Sequence, residues 1–475
     1  MFEAVLLRSV GDAPALYVVI AATLVVATGC RAWRRGAREI HKRGVVILRG
    51  GRRQSLLAGS KGGHAGISLA GSKVPFLDET KHFKMIGTTG TGKSTAIRGL
   101  LAGALARGDR AVVADPDGGY RDRFFSRYRG DVVLNPFEPQ SVKWNPFAEL
   151  NDVYDIDQLS FALIPSTDDA SSNEWRGYAR TFLAAVLRRG HERGHGSVAE
   201  LWRLVAVASS EELRLILADT PAQPFLDADN ARMFGSIRSV AVSAIAALEY
   251  IQTQRAASFS IREWVRARGA GGALFIPYRA GQIAALRSMI ATWLRLAIFE
   301  TMNGSEACDR RLWFVIDELD ALGAVDGLKD ALARLRKFGG RCVLGFQSIA
   351  QVSGTYGAAE AQTIVENCGN TLILRCSGSE NGGTSQFASR LIGEREVIRR
   401  QTSRGSDREG AFSARGVRRS KSTSEQHVTE TAVMASQIEQ LPDLCGYLKL
   451  ASSPAWRKVT FGTAGNPRWK SPSML

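Results

Sequence analysis

"HFKMIGTTGTGKST", His82 to Thr95, decides the fold. His82 to Ile86 reads as a strand running directly into a glycine-rich turn, and Thr95 to Leu105 has the Ala, Leu and Ile content of a helix. Between them, Gly87 to Ser94 matches the spacing Gly, four residues, Gly-Lys-Ser. In that setting backbone N–H groups converge on phosphates, and the helix N-terminus adds a favourable dipole. Gly87, Thr88, Thr89, Gly90, Thr91, Gly92, Lys93, Ser94 and Thr95 are therefore the expected nucleotide cradle. Lys93 is expected to reach the β- and γ-phosphates of ATP, and the Ser94 hydroxyl to coordinate Mg2+.

A phosphate loop needs an acidic partner on a nearby strand. "LWFVIDELDALG" supplies one: five apolar residues, Leu312 to Ile316, end in Asp317 and Glu318. An unbroken apolar run suits a central parallel strand buried on both faces, and ligands of open α/β sheets bind at the carboxyl ends of the strands. Asp317 is the expected Mg2+-side acid, acting through water. Glu318 is the expected general base for a water nucleophile, so hydrolysis is the expected chemistry. Gln347 follows the apolar run "CVLGF", where RecA-like motors place a polar residue that senses the γ-phosphate. Arg334, Arg336, Lys337 and Arg341 in "LARLRKFGGR", and Arg375 after "NTLIL", are candidates for an arginine finger acting on a neighbouring subunit's nucleotide.

Around these motifs, strands and helices alternate through "RAVVADPDGGY", where Asp115 ends a strand, and "DVVLNPF". The sheet resumes at "GGALFIPY" and includes "RCVLGFQS", "NTLILRC" and the closing "LCGYLKLASSPAWRKVTF". Such alternation predicts a mainly parallel sheet. Between residues 152 and 258 the apolar spacing is helical throughout, as in "NEWRGYARTFLAAVLRRG" and "NARMFGSIRSVAVSAIAALEYIQ". Ser197 with Glu200 reads as a capping box there. The expected fold class is α/β: a RecA-like P-loop NTPase with a mainly parallel central sheet, an all-α inserted domain and an N-terminal transmembrane helix. The expected division is 1–12 extracytoplasmic, 13–30 transmembrane, 31–60 basic and juxtamembrane, 61–151 nucleotide-binding, 152–258 all-α, and 259–475 nucleotide-binding again.

The membrane reading rests on Ala13 to Cys30, which carries no charged side chain and, as a helix, would span about 27 Å. Arg31, Arg34, Arg35, Arg38, Lys42 and Arg43 follow it, so the positive-inside rule places the phosphate loop in the cytoplasm. A cleaved signal peptide would carry its basic residues before the apolar run instead. The chain of 475 residues has 45% hydrophobic and 23% charged residues, enough apolar content for a large core, and exceeds one typical domain. Its formal net charge of +16 favours a polyanionic partner. The six cysteines are scattered with no CxxC pair, a pattern of reduced thiols.

Two stretches read as surface. "HERGH", His191 to His195, has the HExxH spacing of zinc proteases, but Gly190, Gly194 and Gly196 crowd it, so an exposed loop between helices is expected. Residues 399 to 427 are polar, basic and rich in Gly and Ser, and read as a flexible loop, either solvated or tracking phosphates.

The order of "KHFKMIGTTGTGKST", "DPDGG", "KWNPF", "RRLWFVIDELDALG", "RKFGGRCVLGFQSIAQV" and "LIGEREV" resembles the type IV coupling proteins of bacterial conjugation, the TraD group. The resemblance runs from about Ile67 to Lys458. It implies an inner-membrane ATPase that assembles as a homo-hexamer, recruits the relaxase-bound DNA of the relaxosome, and pumps single-stranded DNA toward type IV secretion channel proteins. Its nucleotide residues would fall on Gly92, Lys93, Ser94, Thr95, Asp317, Glu318 and Gln347. Many members carry two transmembrane helices, whereas this sequence is expected to have one. Two other readings compete: a docking receptor gated by ATP, and an FtsK-type translocase of double-stranded DNA. The single span and the size of the helical insertion disfavour the latter.

Overall fold

The computed structural model describes residues 39–49, 66–167, 169–194, 196–267, 271–306, 310–379, 382–407 and 418–462. The expected transmembrane segment, 13–30, lies outside these residues. Among the described residues no helix is long and apolar enough to cross a membrane. The described residues divide into two units, those within 47–388 with 435–462, and those within 39–46 with 389–434.

The larger unit is built on ten strands: β1 (Ile47–Arg49), β2 (Phe83–Ile86), β3 (Arg110–Pro116), β4 (Val132–Val133), β5 (Gly272–Tyr278), β6 (Leu312–Ile316), β7 (Gly340–Phe346), β8 (Asn370–Ile373), β9 (Cys445–Lys449) and β10 (Trp456–Thr460). Their spatial order is β1-β10-β9-β8-β2-β7-β6-β3-β5-β4. The seven strands from β8 to β4 are parallel, and β9 runs antiparallel to both its neighbours. β2, β5, β6 and β7 are buried at every position, which accounts for the apolar runs of β5 and β6, while the buried Lys84 of β2 donates to Val365 O and the buried Arg341 of β7 pairs with Glu79. Helix α1 (Lys93–Ala106) packs Ile97, Leu100, Leu101 and Ala104 onto the core around Phe83, Met85, Val113, Phe275 and Trp313. Each of the larger aliphatic side chains contributes about 2 kcal/mol by leaving water.

Residues 152 to 257 contain no strand among those described, and Ser258 opens a two-residue strand, Ser258–Phe259. That strand pairs in parallel with Lys143–Trp144, so two short strands bracket the helical insertion. Helices α2 (Val153–Leu163), α3 (Ala170–Glu192) and α4 (Ala231–Ile245) form its body. The buried Glu149 carboxylate fixes the neck, accepting from Trp144 Nε1, the Ser260 hydroxyl and the amides of Ile261 and Arg262, while Arg262 pairs with Asp155. Ser197 caps its helix by accepting from the Glu200 amide, but the Glu200 carboxylate pairs with Arg203, so only half of the expected box forms.

Two surface expectations are corrected. His191 and Glu192 are not in a loop: they close α3, whose buried Phe182, Leu183, Val186 and Leu187 outweigh the helix cost of Gly190. No cluster of three or more His, Cys, Asp or Glu side chains able to hold a metal occurs among the described residues, at these histidines or elsewhere. Residues 399–407 and 418–427 are not a loop either. In the smaller unit they belong to paired antiparallel strands, Glu394–Asp407 and Arg418–Thr431, with Glu39–Gly44 as a third strand on the first. Opposite charges hold this hairpin without a large apolar face: Arg395 meets Glu430 at 2.7 Å, Arg399 meets Glu430 at 2.6 Å, and Arg400 meets Glu425 at 2.7 Å. Its residues therefore leave the second nucleotide-binding segment expected at 259–475, and residues 39–44 leave the 31–60 segment to pair with them.

Candidate nucleotide-hydrolysis site

The phosphate loop is moored on three sides. The Gly87 amide donates to Phe346 O at the end of β7, and the Thr88 amide to Arg375 O beyond β8 at 2.9 Å. From the far end of the chain, the Leu444 amide donates to Thr91 O at 2.9 Å. Thr91 is buried and its hydroxyl donates back to Thr88 O at 2.7 Å, which closes the turn on itself. Gly92 precedes α1 at φ 108°, a conformation open to glycine, and a Cβ there would lie 2.5 Å from Leu444 Cδ2. Lys93 and Ser94 then open the helix, with Lys93 nearly fully buried.

A cavity of about 350 Å³ lies over this loop. Thr88, Thr89, Gly90, Gly92, Lys93, Ser94 and Thr95 line its floor, and Glu318, Gln347, Asp443 and Leu444 complete the wall. Strand order explains the convergence. β7 lies between β2 and β6, so Gln347 emerges between the phosphate loop and the Asp317–Glu318 pair. The Thr89 hydroxyl donates to Gln347 Oε1 at 2.9 Å, and Gln347 Nε2 donates to Glu318 Oε1 at 3.4 Å. Burial pushes the Glu318 carboxyl above its ordinary range, with Lys93 drawing it back and Asp317 pushing further. A carboxylate so placed is a stronger base than an exposed one, as general-base catalysis requires.

Asp317 lies deeper, only 2% exposed, beneath the cavity wall. Its Oδ2 accepts from the Tyr120 hydroxyl at 2.8 Å, while Oδ1 is buried with no partner among the described residues. A buried carboxylate oxygen left unsatisfied beside Glu318, with the Ser94 hydroxyl lining the cavity, suits Mg2+, which takes one or two carboxylates and keeps several waters. Gly345 makes this depth possible. A Cβ there would lie 2.3 Å from Asp317 O, so β7 must carry glycine where β6 ends.

The arginine candidates separate. Arg375, half-exposed, pairs with Asp443 at 2.7 Å and donates to Leu441 O. Arg341 is fully buried and pairs with Glu79 at 3.0 Å, so it has no surface to offer a neighbour. Arg334 and Arg336 are exposed, just before β7 begins and so at the amino end of the sheet, away from this subunit's own cavity. Three residues of the site escaped sequence reasoning: Tyr120, Asp443 and Leu444. The first ends the quoted "DPDGGY", and its glycines were the available signal; the other two come from a segment about 350 residues distant from the loop they wall.

A phosphate loop on one strand, acids two strands away, and a polar residue ending the strand between them define a RecA-like P-loop NTPase. The chain belongs to the type IV secretion-system coupling proteins: the family model of their DNA-binding domain matches residues 66–461. It is similar to coupling protein TraD of Escherichia coli (strain K12), with 30% identity over 380 residues, 78% of this chain and 51% of TraD. The chain thus spans about half the length of that relative. Bacterial conjugative coupling protein TrwB, solved in its deltaN70 form, matches with a TM-score of 0.77 at 29% identity, over 92% of this chain and 96% of that one. TrwB solved in complex with ADP and Mg2+ matches with a TM-score of 0.76, also at 29% identity, over 91% and 96%.

Proposed function

We propose that this chain is a membrane-anchored, ATP-driven DNA translocase that couples the relaxosome to a type IV secretion channel during conjugative transfer of single-stranded DNA. The observation that carries the reading is the convergence of Lys93, Glu318 and Gln347 on one cavity in a chain of this family. TrwB has been solved with an ATP analogue and with ADP and Mg2+, which supports ATP and Mg2+ as the ligands here.

In this reading the backbone amides of residues 88–93 cradle the phosphates, and Lys93 neutralises charge that develops on the β- and γ-phosphates. Ser94 and, through water, Asp317 hold Mg2+, which when bound neutralises phosphate oxygens. Glu318 takes the proton of the attacking water. Gln347, bonded to both Thr89 and Glu318, carries the presence or absence of the γ-phosphate into β7. Subunits form a homo-hexamer in which Arg334 or Arg336 of one reaches the nucleotide of the next. Residues 13–30 anchor the chain in the inner membrane with the ATPase in the cytoplasm, and the net charge of +16 attracts DNA.

The test is ATP hydrolysis by the full chain with and without single-stranded DNA. Stimulation by single strands is expected, abolished in Lys93→Ala and Glu318→Gln. Absence of stimulation, with transfer surviving Glu318→Gln, would sink the motor reading; stimulation by duplex alone would favour a segregation-type motor.

A further inference from the structure

The loop that leaves β3, Asp115 to Tyr120, does more than connect elements. The buried Asp115 carboxylate accepts from the Tyr120 amide at 2.9 Å and the Arg121 amide at 2.7 Å, pinning the loop's return. Asp117 turns the chain at φ 59°, and its amide donates to Tyr278 O at 2.8 Å at the end of β5. The outcome is that Tyr120, only 1% exposed, points its hydroxyl at Asp317 Oδ2, 2.8 Å away. Its ring faces the guanidinium of Arg98 at 5.2 Å. Arg98 lies on α1, five residues after Lys93, so one side chain touches both the helix that carries Lys93 and Ser94 and the acid at the end of β6.

We infer that Tyr120 is the positioning residue for Asp317, fixing which carboxylate oxygen faces the Mg2+ side and holding that acid in register with α1. The inference rests on the ATPase reading above. A carboxylate with both oxygens free can rotate about its last bond. A hydroxyl donor on Oδ2 stops that rotation and leaves Oδ1 to face the Mg2+ side, and such outer partners are worth 10–100-fold in metal affinity or activity. The Arg98 contact holds the ring itself, so the hydroxyl cannot follow a wandering carboxylate. A purely structural tyrosine would satisfy a buried polar pair and affect stability, with no link to the metal.

The experiment measures the affinity of the full chain for a fluorescent ADP derivative in EDTA and in Mg2+, together with Tm in EDTA. In the wild-type protein Mg2+ tightens binding. In Tyr120→Phe, which keeps the ring against Arg98, that Mg2+-dependent gain is expected to shrink about tenfold while metal-free affinity holds, with a small drop of Tm in EDTA from the lost hydrogen bond to the buried carboxylate. Asp317→Asn is expected to remove the gain, and adding Tyr120→Phe to it to remove nothing more, because the two side chains act as a unit. A normal gain in Tyr120→Phe, or additive losses in the double variant, overturns the inference alone. No gain in the wild-type protein overturns it together with the ATPase reading.

Discussion

The Thr89 hydroxyl and Gln347 Oε1 are 2.9 Å apart, so the phosphate loop and the end of β7 are already joined before any nucleotide is considered. The other end of the same amide reaches Glu318. Gln347→Ala cuts both bonds while leaving Lys93 and the loop backbone in place. Hydrolysis is expected to fall about a hundredfold in kcat, the usual cost of losing one well-placed polar group, with ADP affinity within about threefold of wild type. Steady-state kinetics beside equilibrium binding checks this; a parallel loss of affinity would mean that Gln347 builds the cradle instead of acting on the γ-phosphate.

Gly345 gives a second prediction. Its missing side chain lets Asp317 O approach, and the Leu319 amide donates to Gly345 O at 2.9 Å, so β6 and β7 are bound together just past the acid pair. Gly345→Ala would push a methyl group into that crossing. Overpacking of this kind costs about 1–3 kcal/mol. ATPase activity is expected to drop below about a tenth of wild type, because the displaced atoms belong to Asp317. Tm and single-turnover hydrolysis measured on the same preparation separate the two effects, and a stable variant with full activity would refute the claim.

At the amino end of the sheet, Glu79 anchors a buried ion network. Its two oxygens take both terminal nitrogens of Arg107, and Oε2 also accepts from Arg341 Nε; Arg107 in turn pairs with Asp109, which accepts from Trp313 Nε1. Removing one member leaves buried charge without a counter-ion. Glu79→Ala is expected to cost about 3–5 kcal/mol, and Glu79→Gln somewhat less. Denaturant unfolding resolves a change of that size. Loss of less than about 1 kcal/mol in Glu79→Ala would mean that water enters and screens the arginines.

The sequence made the nucleotide cradle and the acid pair legible because each is a local pattern whose chemistry depends on spacing along one turn. Lys93 and Ser94 follow their glycines directly, and Asp317 follows an apolar run that only a buried strand satisfies. Residues joined by topology were harder to see. Tyr120 meets Asp317 because β3 lies beside β6, and Arg375 meets Asp443 because β8 lies beside β9; no spacing encodes either neighbour. The charged hairpin was missed for another reason. Composition reports how much surface a segment can bury, whereas this pair is held by backbone ladders and by Arg–Glu contacts across strands. The arginine cluster around the start of β7 shows both limits at once: Arg341 looks like Arg334 and Arg336 in sequence, yet as the second residue of the fully buried β7 it lies against Glu79.

His82 carries the last prediction. The residue immediately precedes β2, the strand that leads to the phosphate loop, and is buried, with φ 54°. Its Nε2–H donates to Leu332 O at 2.8 Å and its Nδ1 accepts from the Cys342 amide at 3.0 Å, an arrangement that only the neutral ring can make. Burial, reinforced by Arg341 and Arg336 nearby, pushes its pKa down to about 4 from an ordinary 6.5. The unfolded chain therefore binds a proton on this ring between pH 6.5 and 4 that the folded chain refuses. The stability it contributes is complete above pH 6.5, drains away as pH falls toward 4, and amounts to about 3 kcal/mol over the window. His82→Asn, which tolerates the left-handed backbone, is expected to be less stable than wild type at pH 7.5 but to lose less on acidification. Unfolding of both proteins at pH 7.5, 6.0 and 4.5 checks this. Parallel pH profiles would show that the carboxylates alone set the acid sensitivity and that His82 titrates in the folded protein as it does in water.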